Sequence, residues 1–163
     1  MQYCIATIKG QNAILHNPGT WCNMGLWRFL DYVTEDDHNL MQEWYVVQDP
    51  EVQAQFDATL LILGAVEDWE DEDVEESKPL TCEHQGLGEV RFHVEALAPG
   101  AKRPHRRRFR PVGIWPPVVS HEFVLILGCE KSGKTFMPHD AFGLALCHKT
   151  LLEQGRGTTR ERI

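Results

Sequence analysis

From Glu35 onward the apolar positions fall into clean periods. Leu40, Trp44 and Val47 are spaced i, i+4, i+7, which predicts one face of a helix. Asp49-Pro50-Glu51 then combines an N-cap residue, a proline at the first helical position and an acidic first turn. The helix it opens carries Val52, Phe56, Leu60 and Leu63 along one stripe. Two helices with so short a break predict a helical hairpin.

The pattern then changes period. GEVRFHVEA (88–96) alternates strictly, with Val90, Phe92 and Val94 on one face and Arg91, His93 and Glu95 on the other, as a half-buried strand requires. The turn-rich basic segment PGAKRPHRRR (99–108) leads to a second strand, RFRPVGIW (108–115), whose Pro111 predicts an edge or a bulge. A turn is expected at Pro116-Pro117, and HEFVLIL (121–127), apolar on both faces, reads as a central strand. In PHDAFGLALCHKTLLEQG (138–155), Ala141, Leu144, Ala145 and His148 recur at i, i+3, i+4, i+7, and Gly155 suits the position just past a helix end. The expected order is α-α-β-β-β-α. This is an α+β domain with an N-terminal helical hairpin packed on a small, mainly antiparallel sheet and a C-terminal helix. Residues 1–23 show no clear period and contain the loop formers HNPGT (16–20). They read as an extension, with Met24 as an alternative start; residues 24–155 form the domain and 156–163 a basic tail.

Composition adds three constraints. With 163 residues, 42% hydrophobic and 25% charged, the chain matches an ordinary globular domain with one core. No apolar run approaches the roughly 20 residues of a membrane-spanning helix, and the N-terminus lacks the features of a secretory signal. The five cysteines (Cys4, Cys22, Cys82, Cys129, Cys147) include no C-x-x-C pair, so a reducing cytoplasm is expected rather than a disulfide framework or zinc ribbon. Cys82-Glu83-His84 and Cys147-His148 are too sparse for tetrahedral metal ligation, so no metal or cofactor is expected.

Charge changes the picture most. Residues 1–77 hold 2 Lys/Arg against 16 Asp/Glu, whereas residues 78–163 hold 14 against 8, which together give the net charge of −8. A chain so divided is expected to turn one face towards polyanions. The acidic run EDWEDEDVEESKP (67–79) reads as a solvated loop.

GCEKSGKT (128–135) fits the phosphate-loop pattern G-x-x-x-x-G-K-[ST] letter for letter. That loop works because a helix begins at its Gly-Lys-[Ser/Thr] and aims backbone N–H groups at phosphates, with an acidic, magnesium-binding strand downstream. Here the helical period starts only near Ala141 and 28 residues follow Thr135. A nucleotide hydrolase is therefore the remote alternative. Lys131 and Lys134 remain as cations at the end of a central strand. If the three strands form a meander, they join Arg91, His93, Arg106, Arg107, Arg108 and Arg110 in one basic field suited to a nucleic-acid backbone. Metal-free RNA cleavage needs little more: a base for the 2′-hydroxyl proton, cations around the phosphate and a proton for the leaving oxygen. His93 is the group whose ordinary pKa suits proton transfer, and His148, on the apolar stripe, reads as a core or interface residue.

The order and spacing of several segments resemble the RelE/HigB toxins of type II toxin–antitoxin systems, closest to the phage-associated HigB-like branch of the RelE/ParE superfamily. The segments are FLDYVTEDDHN, QEWYVVQDPEVQAQFDATLLIL, KPL…GLGEVRFHV, RRFRPVGIWPP and EFVLILGCEKSGKTFMPHDAFGLAL, spanning roughly Met24 to Gly155. The resemblance implies a RelE/ParE-like fold and a ribosome-dependent, metal-independent mRNA endoribonuclease in the cytoplasm, where it inhibits translation. It also implies neutralisation by a cognate antitoxin of helix-turn-helix type, with DNA reached only through that complex. Carried onto this chain, it implies roles near the 2′-hydroxyl for Arg91, at the scissile phosphate for Arg110, and for Lys131 after the third strand. Arg107, Arg108 and Lys134 would bind RNA. Arginine holds its proton above pH 12, so His93 or water is left to act as base. Where some relatives carry a tyrosine, this chain offers Phe136 and His139. The alternative is a non-enzymatic protein of the same fold, either a gyrase poison or a degenerate prophage protein.

Overall fold

The computed structural model of the chain describes residues 26–69, 74–96, 104–115 and 121–162, together with the backbone of 4–8 and 11–15. The expectations at 16–20, at Met24, at Pro116-Pro117, over 99–103 and over 70–73 lie outside the described residues.

Strands β1 (Cys4–Ile8) and β2 (Gln11–Leu15) pair with each other in a two-stranded sheet. A strand absent from the expected order, β3 (Arg28–Val33), precedes α1 (Leu40–Val46) and α2 (Pro50–Ala65). Next come β4 (Ser77–Pro79), β5 (Leu87–Val90), β6 (Phe92–Ala96), β7 (His105–Phe109), β8 (Val112–Ile114) and β9 (Glu122–Leu127). The chain closes with β10 (Glu130–Ser132), β11 (Thr135–Met137), α3 (Ala141–Glu153) and β12 (Thr158–Glu161). The class is α+β, with two sheets where one was expected. A six-stranded mixed sheet runs β12-β3-β9-β8-β5-β4, in which only β3 and β9 are parallel, and a four-stranded antiparallel sheet runs β11-β10-β7-β6.

The meander survives, but its first two strands are broken and its third, intact as β9, is continued by β10, so that each line of chain serves both sheets. The breaks fall at Arg91, at Arg110-Pro111 and at Gly128-Cys129. Pro111 has no N–H for a ladder, and the adjoining register shifts between Val112 and Gly113, so the expected irregularity is present. Backbone bonds carry the pairing across the break: Val90 N–H donates to the Pro111 carbonyl at 2.9 Å and Arg110 N–H to the Cys129 carbonyl at 2.8 Å. Gly128 is required by packing. The Trp44 indole lies so close that a Cβ at residue 128 would stand 1.9 Å from its ring.

The stripe Val52, Phe56, Leu60 and Leu63 is buried as expected, against Val90, Phe92, Val94 and Phe109 of the sheets and Met41 of α1. A second cluster, with Ala141 and Ala145 of α3, lies on Tyr32, Leu87, Val112 and Ile126. Along β9, Phe123 and Leu125 join the first cluster while Val124 and Ile126 join the second. This is why that strand is apolar on both faces.

Other expectations change. Val47 is 76% exposed because α1 ends before it, and Met41 takes the buried position. Asp49 makes no side-chain cap and instead pairs with Arg107 at 3.0 Å. In the acidic run, Trp69 is buried against Trp27 and Phe123, with its Nε1–H donating to the Leu63 carbonyl, and residues 77–79 form β4. Leu144 is 42% exposed, since the helix meets the core through the smaller Ala141 and Ala145. Gly155 adopts φ +74°, as its position past the helix end requires.

The expected basic tail is structural. β12 pairs with β3, and the Arg162 guanidinium donates to both oxygens of buried Asp31 at 3.1 and 2.9 Å while lying over the rings of Tyr45 and Phe56. Asn39 Nδ2 adds a third bond to Asp31 at 3.0 Å. Arg162→Ala strands this buried carboxylate and should lower the unfolding free energy in a urea titration by about 3–5 kcal/mol. Asp31→Asn combined with Arg162→Met should recover most of the loss.

Candidate nucleic-acid interface

Antiparallel pairing sets the side chains of β6, β7, β10 and β11 in cross-strand rows. His93 lies opposite Arg108, Arg108 opposite Lys131, and Lys131 opposite Phe136. Such neighbours stand about 4.5–5.5 Å apart at Cβ, so one row holds an imidazole, a guanidinium, an ammonium and an aromatic ring. The same face carries a second row, Glu95 opposite Arg106. At the break the alignment continues with Arg91 beside Arg110, which in turn bonds the backbone of Cys129. The opposite face, through Phe92, Val94 and Phe109, belongs to the core under α2. Burial of that apolar face decides which side chains point outward, because the period along a strand is two.

His93 is exposed, and Arg106 Nη2 lies 2.9 Å from its Nδ1 and 2.8 Å from its Nε2. A single nitrogen so close to both ring nitrogens stands over the ring face rather than in line with either in-plane lone pair, so it acts on His93 through its charge. Partial burial and then the Arg106 charge hold the His93 pKa below its usual value, with Glu95 opposing. Arg108 is exposed, and Lys131, half-buried, sets its Nζ 5.3 Å from the Phe136 ring centroid. Phe136 in turn packs on Phe142 of α3 at 4.6 Å.

Arg91 and Arg110 form a second, more enclosed group around Glu89, whose side chain is only 6% exposed. Arg91 Nε and Nη2 both stand 2.7 Å from Glu89 Oε1, and Arg110 Nε stands 3.9 Å from the same oxygen. Arg110 also donates through Nη1 to the carbonyls of Phe109 and Phe92. Burial lowers its pKa, against the pull of Glu89. The Cys129 thiol donates to the Arg110 carbonyl, and burial pushes its pKa up to about 12, which keeps it a packing group rather than a nucleophile.

Not every expected residue joins this face. Arg107 projects from the other side of β7, bonding Glu130 through Nε at 3.1 Å and Nη2 at 2.9 Å and Asp49 through Nη1 at 3.0 Å. It ties the start of α2 to the sheet, and its hydrogen bonds to Glu130 hold its pKa above the usual arginine range. Lys134 sits exposed at the tip of the β10–β11 hairpin, and His139 is exposed beyond β11. A shallow cavity of about 230 Å³ opens between β7 and that hairpin, lined by Arg106, Arg107, Arg108, Glu130 and Lys131 among others.

The phosphate-loop letters thus fall on a hairpin. Gly133 and Lys134 make its turn and Thr135 begins β11, while the next helix starts at Ala141. No helix N-terminus meets the motif, so the backbone cradle that its chemistry needs is missing. Two residues escaped sequence reasoning as site members. Arg106 belonged to the basic field, but only pairing sets it on His93. Glu89 stands two residues before Arg91, a visible same-face spacing; that it is buried goes with β5 lying inside the six-stranded sheet, between β4 and β8.

An NMR titration should find the His93 ring protonating below pH 6.5. Arg106→Ala should raise that value, because it removes an adjacent positive charge. No protein-family model, curated protein or solved structure matches this chain.

Proposed function

We propose that this protein binds single-stranded RNA along the outer face of β6, β7, β10 and β11 and cleaves it, as the toxin of a type II toxin–antitoxin pair acting on ribosome-bound mRNA. The observation that carries the reading is the registered row His93–Arg108–Lys131, an imidazole aligned with two cations on one solvent-facing surface. The small antitoxin, of helix-turn-helix type, would oppose this activity.

The chemistry runs without a metal. Arg108 and Lys131 engage the phosphate, and Arg106 moves from the neutral ring to the phosphate oxygens, which are stronger acceptors. His93 is then free to take the 2′-hydroxyl proton. The bond from the 2′-oxygen to phosphorus forms as the bond to the 5′-oxygen breaks, leaving a 2′,3′-cyclic phosphate and a 5′-hydroxyl. Solvent protonates the departing oxygen. Cations close to the crowded phosphorus stabilise the added charge.

Induction of the protein followed by mapping of mRNA 5′ ends should reveal cuts within translated codons; intact transcripts during growth arrest would overturn the assignment. His93→Ala should slow cleavage by about 10²–10⁴-fold. Arg108→Ala and Lys131→Ala should each weaken RNA binding and reduce the slope of log K against log salt by about 0.7. Cleavage by the intact protein should rise with pH through a value below 6.5 and stay flat above it, since the neutral ring is the active form.

A second reading, a non-enzymatic interaction protein such as a gyrase poison or a degenerate prophage protein, draws on one observation. Glu89 already engages Arg91 and lies beside Arg110. On that reading Arg91→Ala and Arg110→Ala leave any toxicity unchanged.

A further inference from the structure

We propose that Glu89 is a positioning residue: it orients the Arg91 guanidinium so that its outer edge meets an RNA phosphate, and it holds Arg91 and Arg110 together in one phosphate site. The inference rests on the RNA-binding reading above and adds to it a buried anion at the base of a cationic face.

Three observations support it. First, Glu89 is buried and charged groups are seldom buried without partners; its carboxylate oxygen meets Arg91 Nε and Nη2, both at 2.7 Å. These contacts use the inner edge of the guanidinium. Arginine has five N–H donors in a fixed plane, so the Nη edge remains for the paired oxygens of a phosphate. The Arg91 side chain is 31% exposed, so it is not sealed from solvent. Second, Arg110 is anchored through Nη1 to two backbone carbonyls, with Nε 3.9 Å from the same carboxylate. Glu89 therefore lies between two cations that would otherwise repel each other at the break in the strands, where Arg108 adds a third positive charge. Third, Glu89 lies on β5, between the buried neighbours Gly88 and Val90, so its carboxylate is carried by a packed strand rather than a loop. A cation held by such a strand meets its ligand without losing further conformational freedom.

A charge-only account predicts the opposite result from positioning. Removing a negative charge beside a basic face should tighten RNA binding if charge alone matters. Glu89→Gln keeps the shape and removes that charge. With a single-stranded 2′-O-methyl RNA oligonucleotide, which has no 2′-hydroxyl to attack, Glu89→Gln should raise Kd about tenfold, the loss of roughly one charge-assisted contact. Its Arg91 Nε–H should also exchange with solvent faster than in the intact protein, where that donor is bonded to Glu89. Arg91→Lys, which keeps the charge but not the forked geometry, should weaken binding to a similar extent. It serves as the second variant if Glu89→Gln fails to fold by circular dichroism. Equal or tighter binding by either folded variant overturns the inference while leaving the RNA reading intact. An intact protein that binds no RNA removes both.

Discussion

The molecule is organised by the line along which three strands leave one sheet and enter another. On one side of that line the six-stranded sheet carries clusters on both faces, and on the other the four-stranded sheet is covered by α2 on one face. The line is fixed by what the backbone cannot do there. Pro111 has no N–H to share, and Gly128 gives its Cβ volume to Trp44. Because the breaks are in register, the pairing persists, and the exposed face of the smaller sheet keeps its order.

That geometry also determines where charge is tolerated. A carboxylate on β5 is buried, whereas β6, one residue past the break, exposes His93 and Glu95 on its outer face. Arg91 and Arg110 stand at the boundary and gain a buried counter-ion. Arg106, Arg108 and Lys131 lie beyond it on the outer face, with Glu95 across from Arg106. The lowered pKa of His93 follows from partial burial and then from the same crowding, since protonation would add a cation beside Arg106.

The division into acidic and basic halves acquires a different meaning in three dimensions. Arg107, Arg156, Arg160 and Arg162, all from the basic half, pair with Asp49, Glu35, Asp37 and Asp31 of the acidic half. The exposed pairs contribute little individually, and the buried Arg162–Asp31 pair fixes the position of β12. The charge difference therefore serves chain closure first. The cations left on the outer face of β6, β7 and β10 are what remains for a polyanion.

The sequence by itself determined the elements whose burial is one-sided or complete. The stripe from Val52 to Leu63, the alternation through Val94 and the two-sided apolar run of β9 are visible because burial imposes a period on neighbouring residues. It also placed the cations of β6, β7 and β10 on strands and revealed that the phosphate-loop letters lacked a following helix. Only the tertiary structure decided that Arg107 faces the core side, that Glu89 is buried and that the last strand closes beside β3. Each of those outcomes depends on a partner away in the sequence: Asp49 for Arg107, Arg110 and the flanking strands β4 and β8 for Glu89, Asp31 for Arg162. Local periodicity carries no information about such partners, because pairing across a sheet is set by register and by which face a neighbouring helix covers.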